Sequence, residues 1–304
     1  MSRRKLLGGL SALIGAGLLA AALVPAQASA TPTPSAVAGG CLLQLGSITA
    51  GGDHNVNWIS SAPPASALVS QGPKDLFPDG QAWLAGSLAY QDYTGDTVRR
   101  TGYVVIGQEL FATSYFATSG KLIEELGKTK IGGGWYRNGP RYLEESRYSG
   151  STTGHTYSLY GDTLNRWNVN AGTWSAHATY PGFGAVKTMA LISQTATYDT
   201  FLANMTGGSL YTIRVPKTGA PVVKLVRSST WQGFETLIAE KCGTQSTLLV
   251  GIDKDTHSGY LYAVSHATGA STVIKGLGKV PTTFADPTYF RYHPEEHGGD
   301  LFGE

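Results

Sequence analysis

Two aromatic markers recur along this chain at a common spacing near fifty residues, and a repeat of that length admits few folds. A small residue followed by an aromatic occurs as Ala82-Trp83, Gly134-Trp135, Gly182-Phe183, Gly233-Phe234 and Thr283-Phe284, with the aromatics 52, 48, 51 and 50 residues apart. An apolar pair follows in phase: Leu110-Phe111, Leu210-Tyr211 and Leu261-Tyr262 each place their aromatic 28 residues after the first marker. In the second unit the equivalent is Leu164, at 29.

Each unit reads as four short strands. In the fourth they are Phe234–Cys242, Gln245–Asp253, Tyr260–Ala267 and Ser271–Gly278, rich in Thr, Val, Leu and Tyr and bounded by Gly, Asp or Ser. No segment after the first thirty residues sustains a helical period. Glycine is unusually frequent, 40 of 304 residues, while only 14% are charged, which suits a turn-rich β protein and excludes a charged coiled coil. Four units run from about 82 to 281. Thr283–His293 then supplies a first strand, and Cys41–Ile48, Asn55–Ser60 and Ala67–Gln71 supply the remaining three. The expected fold is all-β: a five-bladed β-propeller of four-stranded blades, spanning 41–293, with the last blade closed by both termini. Residues 294–304 read as a C-terminal tail.

Arg3-Arg4-Lys5, an apolar run from Leu6 to Val24 and the small residues Ala28-Ser29-Ala30 read as a cleaved export signal over residues 1–30. Its start is similar to the twin-arginine type. Residues 31–40 read as a flexible spacer. Without the signal, 20 Lys and Arg face 21 Asp and Glu, so no basic surface remains for nucleic acid. No second apolar run is long enough to span a membrane. A secreted, soluble monomer is expected. Cys41 and Cys242 are the only cysteines, and an oxidising exterior makes a disulfide their default state. The blade scheme puts that bridge across the ring seam. A lipid anchor on Cys41 is the rival, but the apolar run ends well before it.

The familiar catalytic motifs for serine hydrolases, zinc proteases, thiol redox enzymes and nucleotide-phosphate loops are absent. His293 and His297 flank Glu295 and Glu296 in a spacing that could hold metal, yet the adjacent glycines favour a solvated tail. Asp253 to Gly259 is similar to an acidic calcium loop but carries His257 where an oxygen donor is needed, and reads better as a hairpin turn. Glu144-Glu145, Glu124-Glu125, Glu235 and Asp286 fall at different phases of the repeat, so no paired-carboxylate pattern emerges. The expectation is therefore a chain without enzymatic activity and without a cofactor. One asymmetric hydrolase site, or a protein-binding propeller, stays open as an alternative.

The stretches Trp231-Gln-Gly-Phe-Glu-Thr-Leu-Ile-Ala239, Gly259-Tyr-Leu-Tyr-Ala-Val264 and Phe290-Arg-Tyr-His293 resemble the repeats of tachylectin-like propeller lectins. The resemblance covers 82–293 in outline and is strongest over 182–293. It implies a five-bladed lectin that binds N-acetylated amino sugars between neighbouring blades without metal. The chain departs from that family in its unequal units and in its second unit, where Asn165 and Trp167 replace a Leu-Tyr hairpin. Sugar rings combine apolar faces with polar edges, so their sites pair an aromatic platform with fixed polar groups. Tyr180 and Trp231, each three residues before a marker aromatic, are the first candidates for glycan-stacking platforms, and Trp174 is the third. Trp83, Trp135, Phe183, Phe234 and Phe284 recur in every unit and read as inter-blade core.

Overall fold

The computed structural model describes residues 40–295 and 300–304. The export signal, the spacer up to residue 39, and Glu296 and His297 lie outside the described residues. The strands are β1 (Leu42–Ile48), β2 (His54–Ser60), β3 (Ser66–Gln71), β4 (Ala82–Asp92), β5 (Thr97–Ile106), β6 (Glu109–Thr118) and β7 (Lys121–Gly133). They continue as β8 (Pro140–Ser146), β9 (Gly154–Tyr160), β10 (Thr163–Asn170), β11 (Thr173–Pro181), β12 (Val186–Gln194), β13 (Tyr198–Met205), β14 (Leu210–Pro216) and β15 (Val222–Arg227). The last are β16 (Thr236–Lys241), β17 (Ser246–Asp253), β18 (Ser258–Ser265), β19 (Val273–Lys279) and β20 (Thr288–Pro294). Among the described residues the only helical element is a 3-10 turn, Gly269–Ser271.

β8–β11, β12–β15 and β16–β19 each form a four-stranded antiparallel sheet in chain order. An eight-stranded sheet, ordered β3-β2-β1-β20-β4-β5-β6-β7, holds the rest. The fold is thus all-β, with repeated four-stranded sheets of the propeller kind. Strands from the two ends of the chain share one sheet: Leu45 to Ile48 of β1 pair antiparallel with Arg291 to Thr288 of β20. β20 outruns that pairing, and Tyr292, His293 and Pro294 lie parallel to Leu88, Ala89 and Tyr90 of β4. This short parallel ladder fuses two units that the repeat alone would keep apart.

The elements follow from local chemistry. β17 is buried over most of its length and is a Leu-Leu-Val run, as a strand covered on both faces should be. Ala171 and Gly172 both have positive φ, 45° and 81°, which gives β10 and β11 the tight turn whose twist suits a hairpin. The second unit is irregular here too: the β10–β11 register shifts between Arg166 and Asn168, and Trp167 stacks on His177 at 4.5 Å. Asp253 accepts hydrogen bonds from the amides of Asp255 and Thr256 at 3.0 Å, the hairpin turn between β17 and β18.

Among the described residues five clusters of buried side chains form the core, four between neighbouring sheets and one between the two halves of the eight-stranded sheet. Three of the marker aromatics, Phe183, Phe234 and Phe284, are buried in them, and Trp83 and Trp135 are half-buried against the smallest. Cys41 and Cys242 form a disulfide between the start of β1 and the end of β16, with Cα atoms 5.4 Å apart. The chain end is packed, not solvated. Leu301 is fully buried, Phe302 bridges Ser193, and the Glu304 side chain accepts from Arg214 and Thr200 at 2.8 Å. An apolar pair and a terminal acid facing an arginine explain why it docks. No helix of the described residues is long and apolar enough to cross a membrane.

Candidate functional site

The five clusters are unequal. The junction between β4–β7 and β8–β11 has only Tyr103, Val105, Leu110 and Leu143 fully in its core. At this junction β4, β5 and β6 present the small residues Ser87, Ala89, Thr101, Ala112 and Ser114. Side chains this small leave a gap between packed sheets. The gap is a cleft of about 800 Å³, which runs from β5 and β6 to the C-terminal ends of β8 and β20.

The cleft is polar, and its polarity is unspent. Ser87 Oγ, Arg99 Nε, Ser114 Oγ and Glu145 Oε1 are all buried, belong to residues that line it and lack a hydrogen-bond partner among the described residues. Each such group costs about 1–3 kcal/mol unless a ligand or water meets it. Tyr103 stands in one wall, its hydroxyl accepting from Trp174 Nε1 at 3.1 Å with the two rings edge to face. Asp300 is held at the rim by the Ser149 hydroxyl and amide.

Glu145 is the chemically unusual member. Burial pushes its carboxyl up to about 8, adjacent Glu144 adds to this, and Arg291 and Arg147 oppose it. At neutral pH it is a carboxylic acid facing a cleft. Its neighbour Glu144 accepts from Arg291 Nη2 at 3.1 Å, and Arg291 also donates to the Glu145 carbonyl at 3.0 Å. Glu240, with Oε2 unpartnered, belongs to the same buried group. Burial raises it to about 7 against the pull of Arg291. Burial disfavours the charge on Arg291, but Glu144 and Glu240 outweigh it and keep the guanidinium protonated. Burial, with Arg291 behind it, drives His293 down to about 3, so its ring is neutral at the cleft edge.

The residues singled out from the sequence are distributed otherwise. Trp231 is 6% exposed, packed on Phe234 and Tyr262, so its faces are taken by its own chain. Tyr180 is half-buried on β11 with Arg166 over its ring at 5.9 Å. Trp174 reaches the cleft wall through Tyr103. Glu235 pairs with Lys187, and Asp286 accepts from Ser47 at 2.5 Å, so neither joins the cleft. No group of His, Cys, Asp and Glu able to hold a metal occurs among the described residues. Sequence reading named Glu145 but set it aside, and gave no role to Glu240 or Arg291, because the three come from different units. The run of small residues in β4, β5 and β6 was the available signal.

No family model and no curated protein matches this chain. Among solved structures it is similar to an α-L-arabinofuranosidase from Podospora anserina in complex with cellotriose, at 13% identity and TM-score 0.43, over 72% of this chain and 75% of that one. A sialidase from Streptococcus pneumoniae gives 10% identity and TM-score 0.36, over 79% of this chain and 49% of that one. A prolyl endopeptidase gives 11% and 0.34, over 79% and 42%, so the chain spans less than half of these last two. The likeness is one of architecture. The expectation of a chain without enzymatic activity is corrected only to this extent: the solved structures it is similar to are named as enzymes, at low identity.

Proposed function

We propose that this chain is a secreted, monomeric, five-bladed propeller that acts on glycans in the cleft between its first two blades, with Glu145 as proton donor to a glycosidic oxygen. Five blades are supported by the five core clusters and by the run of neighbouring first strands, β4 beside β8, β8 beside β12, β12 beside β16, and β16 beside β1 and β20. The disulfide suits an extracellular location. The observation that carries the glycan reading is the set of four polar atoms, unpartnered among the described residues, in an open cleft, since a polyhydroxylated ligand offers both donors and acceptors to such groups.

Hydrolysis needs a carboxyl kept protonated at neutral pH and a second carboxylate across the scissile bond. Glu145 meets the first requirement. Glu295, exposed on the same cleft, is the counterpart assigned here. The tachylectin-like repeats support a saccharide as the ligand class, and amino sugars are the first to try. Trp174, through Tyr103, would brace the sugar face, and Tyr180 marks a further contact on β11.

The test is turnover of plant and microbial polysaccharides and aryl glycosides by the wild type and Glu145→Gln. The expected result is a loss of at least about 100-fold in kcat with saccharide binding retained. Equal turnover in the variant removes Glu145 from the chemistry. Absence of both binding and turnover on every glycan overturns the glycan assignment itself.

A further inference from the structure

Arg291 lines two cavities, not one. On the far side of the Glu144–Arg291 pair lies a second cavity of about 250 Å³, at the N-terminal ends of the first strands. β4, β8, β12, β16 and β20 all contribute to its wall, so it is axial, whereas the cleft lies between two sheets.

Its charge is unbalanced. Arg137, Arg141, Lys254 and Arg291 line it against only Glu144 and Glu235. Glu144 is neutralised by Arg291, and Glu235 by Lys187 just outside. Asp162, the nearest further acid to Arg141, is committed to the amides of Gly182 and Gly184. The remaining cations are oriented largely by backbone carbonyls: Arg141 by those of Val186, Gly161 and Phe183, Lys254 by that of Pro287 with Glu235 nearby, and Arg137 by that of Gly80 while it lies over the Trp83 ring. Carbonyls orient these groups without cancelling their charge. Of the hydroxyl-bearing residues in the wall, two are buried without a partner among the described residues: Tyr142, 7% exposed, through Oη, and Thr288, 4% exposed, through Oγ1. Burial, reinforced by Glu144, keeps the Tyr142 phenol protonated and therefore a donor.

We infer that this axial cavity is a binding site for a small oxyanion, of carboxylate or phosphate size, held by the Tyr142 and Thr288 hydroxyls within the field of Arg141 and Lys254. An excess of positive charge in a low-dielectric pocket favours an anion, and donors without partners supply its hydrogen bonds. The site is separate from the cleft and does not depend on what the cleft binds.

Calorimetric titration of the full chain with inorganic phosphate and with acetate tests this at neutral pH. Saturable binding of at least one is expected, weakened about tenfold in Tyr142→Phe and in Thr288→Val and unchanged in Glu145→Gln. Both variants remove a hydroxyl with no partner to lose, so they keep the fold. A preference between the two probes identifies the anion class. No saturable binding of either, or wild-type binding in both hydroxyl variants, overturns the proposal.

Discussion

Single side chains in this protein hold their protons against their surroundings, and the balance sets how stability depends on pH. Burial is the first cause for all three perturbed histidines: His54 lies well below its ordinary 6.5, His155 at about 4 and His293 at about 3. Below pH 6.5 the unfolded chain binds protons at these rings that the native state refuses, so stability falls as pH falls. Glu145 and Glu240 act in the opposite sense, because the native state keeps their protons up to about 8 and about 7 while the unfolded chain releases them above 4.5. Between 4.5 and 6.5 three histidines oppose two carboxyls, and stability rises with pH. From 6.5 to about 8 only the carboxyls remain, and it declines. Thermal unfolding followed across this range should therefore peak near pH 6.5. Glu145→Gln should flatten the alkaline side, and an unchanged slope there would mean that Glu145 is already ionised.

At the scale of the strand, close approach and cross-linking do what periodicity announces. Gly46 on β1 sits opposite Phe290 on β20, and a methyl group on it would stand 2.1 Å from the phenyl ring. Gly251 on β17 meets Phe234 in the same way, at 2.8 Å. Gly46→Ala should cost about 1–3 kcal/mol by overpacking, read from denaturant unfolding, and Phe290→Leu in the same chain should recover part of it. A neutral Gly46→Ala would show that the ring has room to move. The disulfide closes a loop of 201 residues, for which chain entropy gives about 5 kcal/mol. The Cys41→Ala/Cys242→Ala pair should melt well below wild type, and matching melting curves would leave the bridge without a stabilising role.

These elements were legible because repetition multiplies a weak signal. β16–β19 lie within a residue or two of where alternation and turn residues put them, and Cys41 and Cys242 meet where the strand order says they should. The site was not legible for the same reason. Glu144, Glu240 and Arg291 stand at different distances from their marker aromatics, so a search for recurring acids passes over them. Trp231 shows the converse: position in a loop before a strand suits a platform and a core ring alike, and it is Phe234 and Tyr262 that close over it here.

For the molecule as a whole, what distinguishes one core cluster from the other four described is deficiency. Four are filled by Leu, Ile, Val, Phe and Tyr, and the one between β4–β7 and β8–β11 is filled in part by Ser, Thr and Ala. Such a substitution sacrifices stability to keep a polar space, and the disulfide and closely packed junctions elsewhere allow it. Ser87 is the sharpest case, 2% exposed on β4, in the cleft wall, with its hydroxyl unpartnered among the described residues. Ser87→Ala removes that hydroxyl and keeps the Cβ. It should raise stability by about 1 kcal/mol, since no hydrogen bond is lost and a desolvated polar group is removed. The same change should weaken saccharide binding, because the ligand loses a partner that the fold left vacant. Stability and affinity measured on this one variant must move in opposite directions. If both fall together, Ser87 is a structural residue, and the cleft is a packing defect without a ligand.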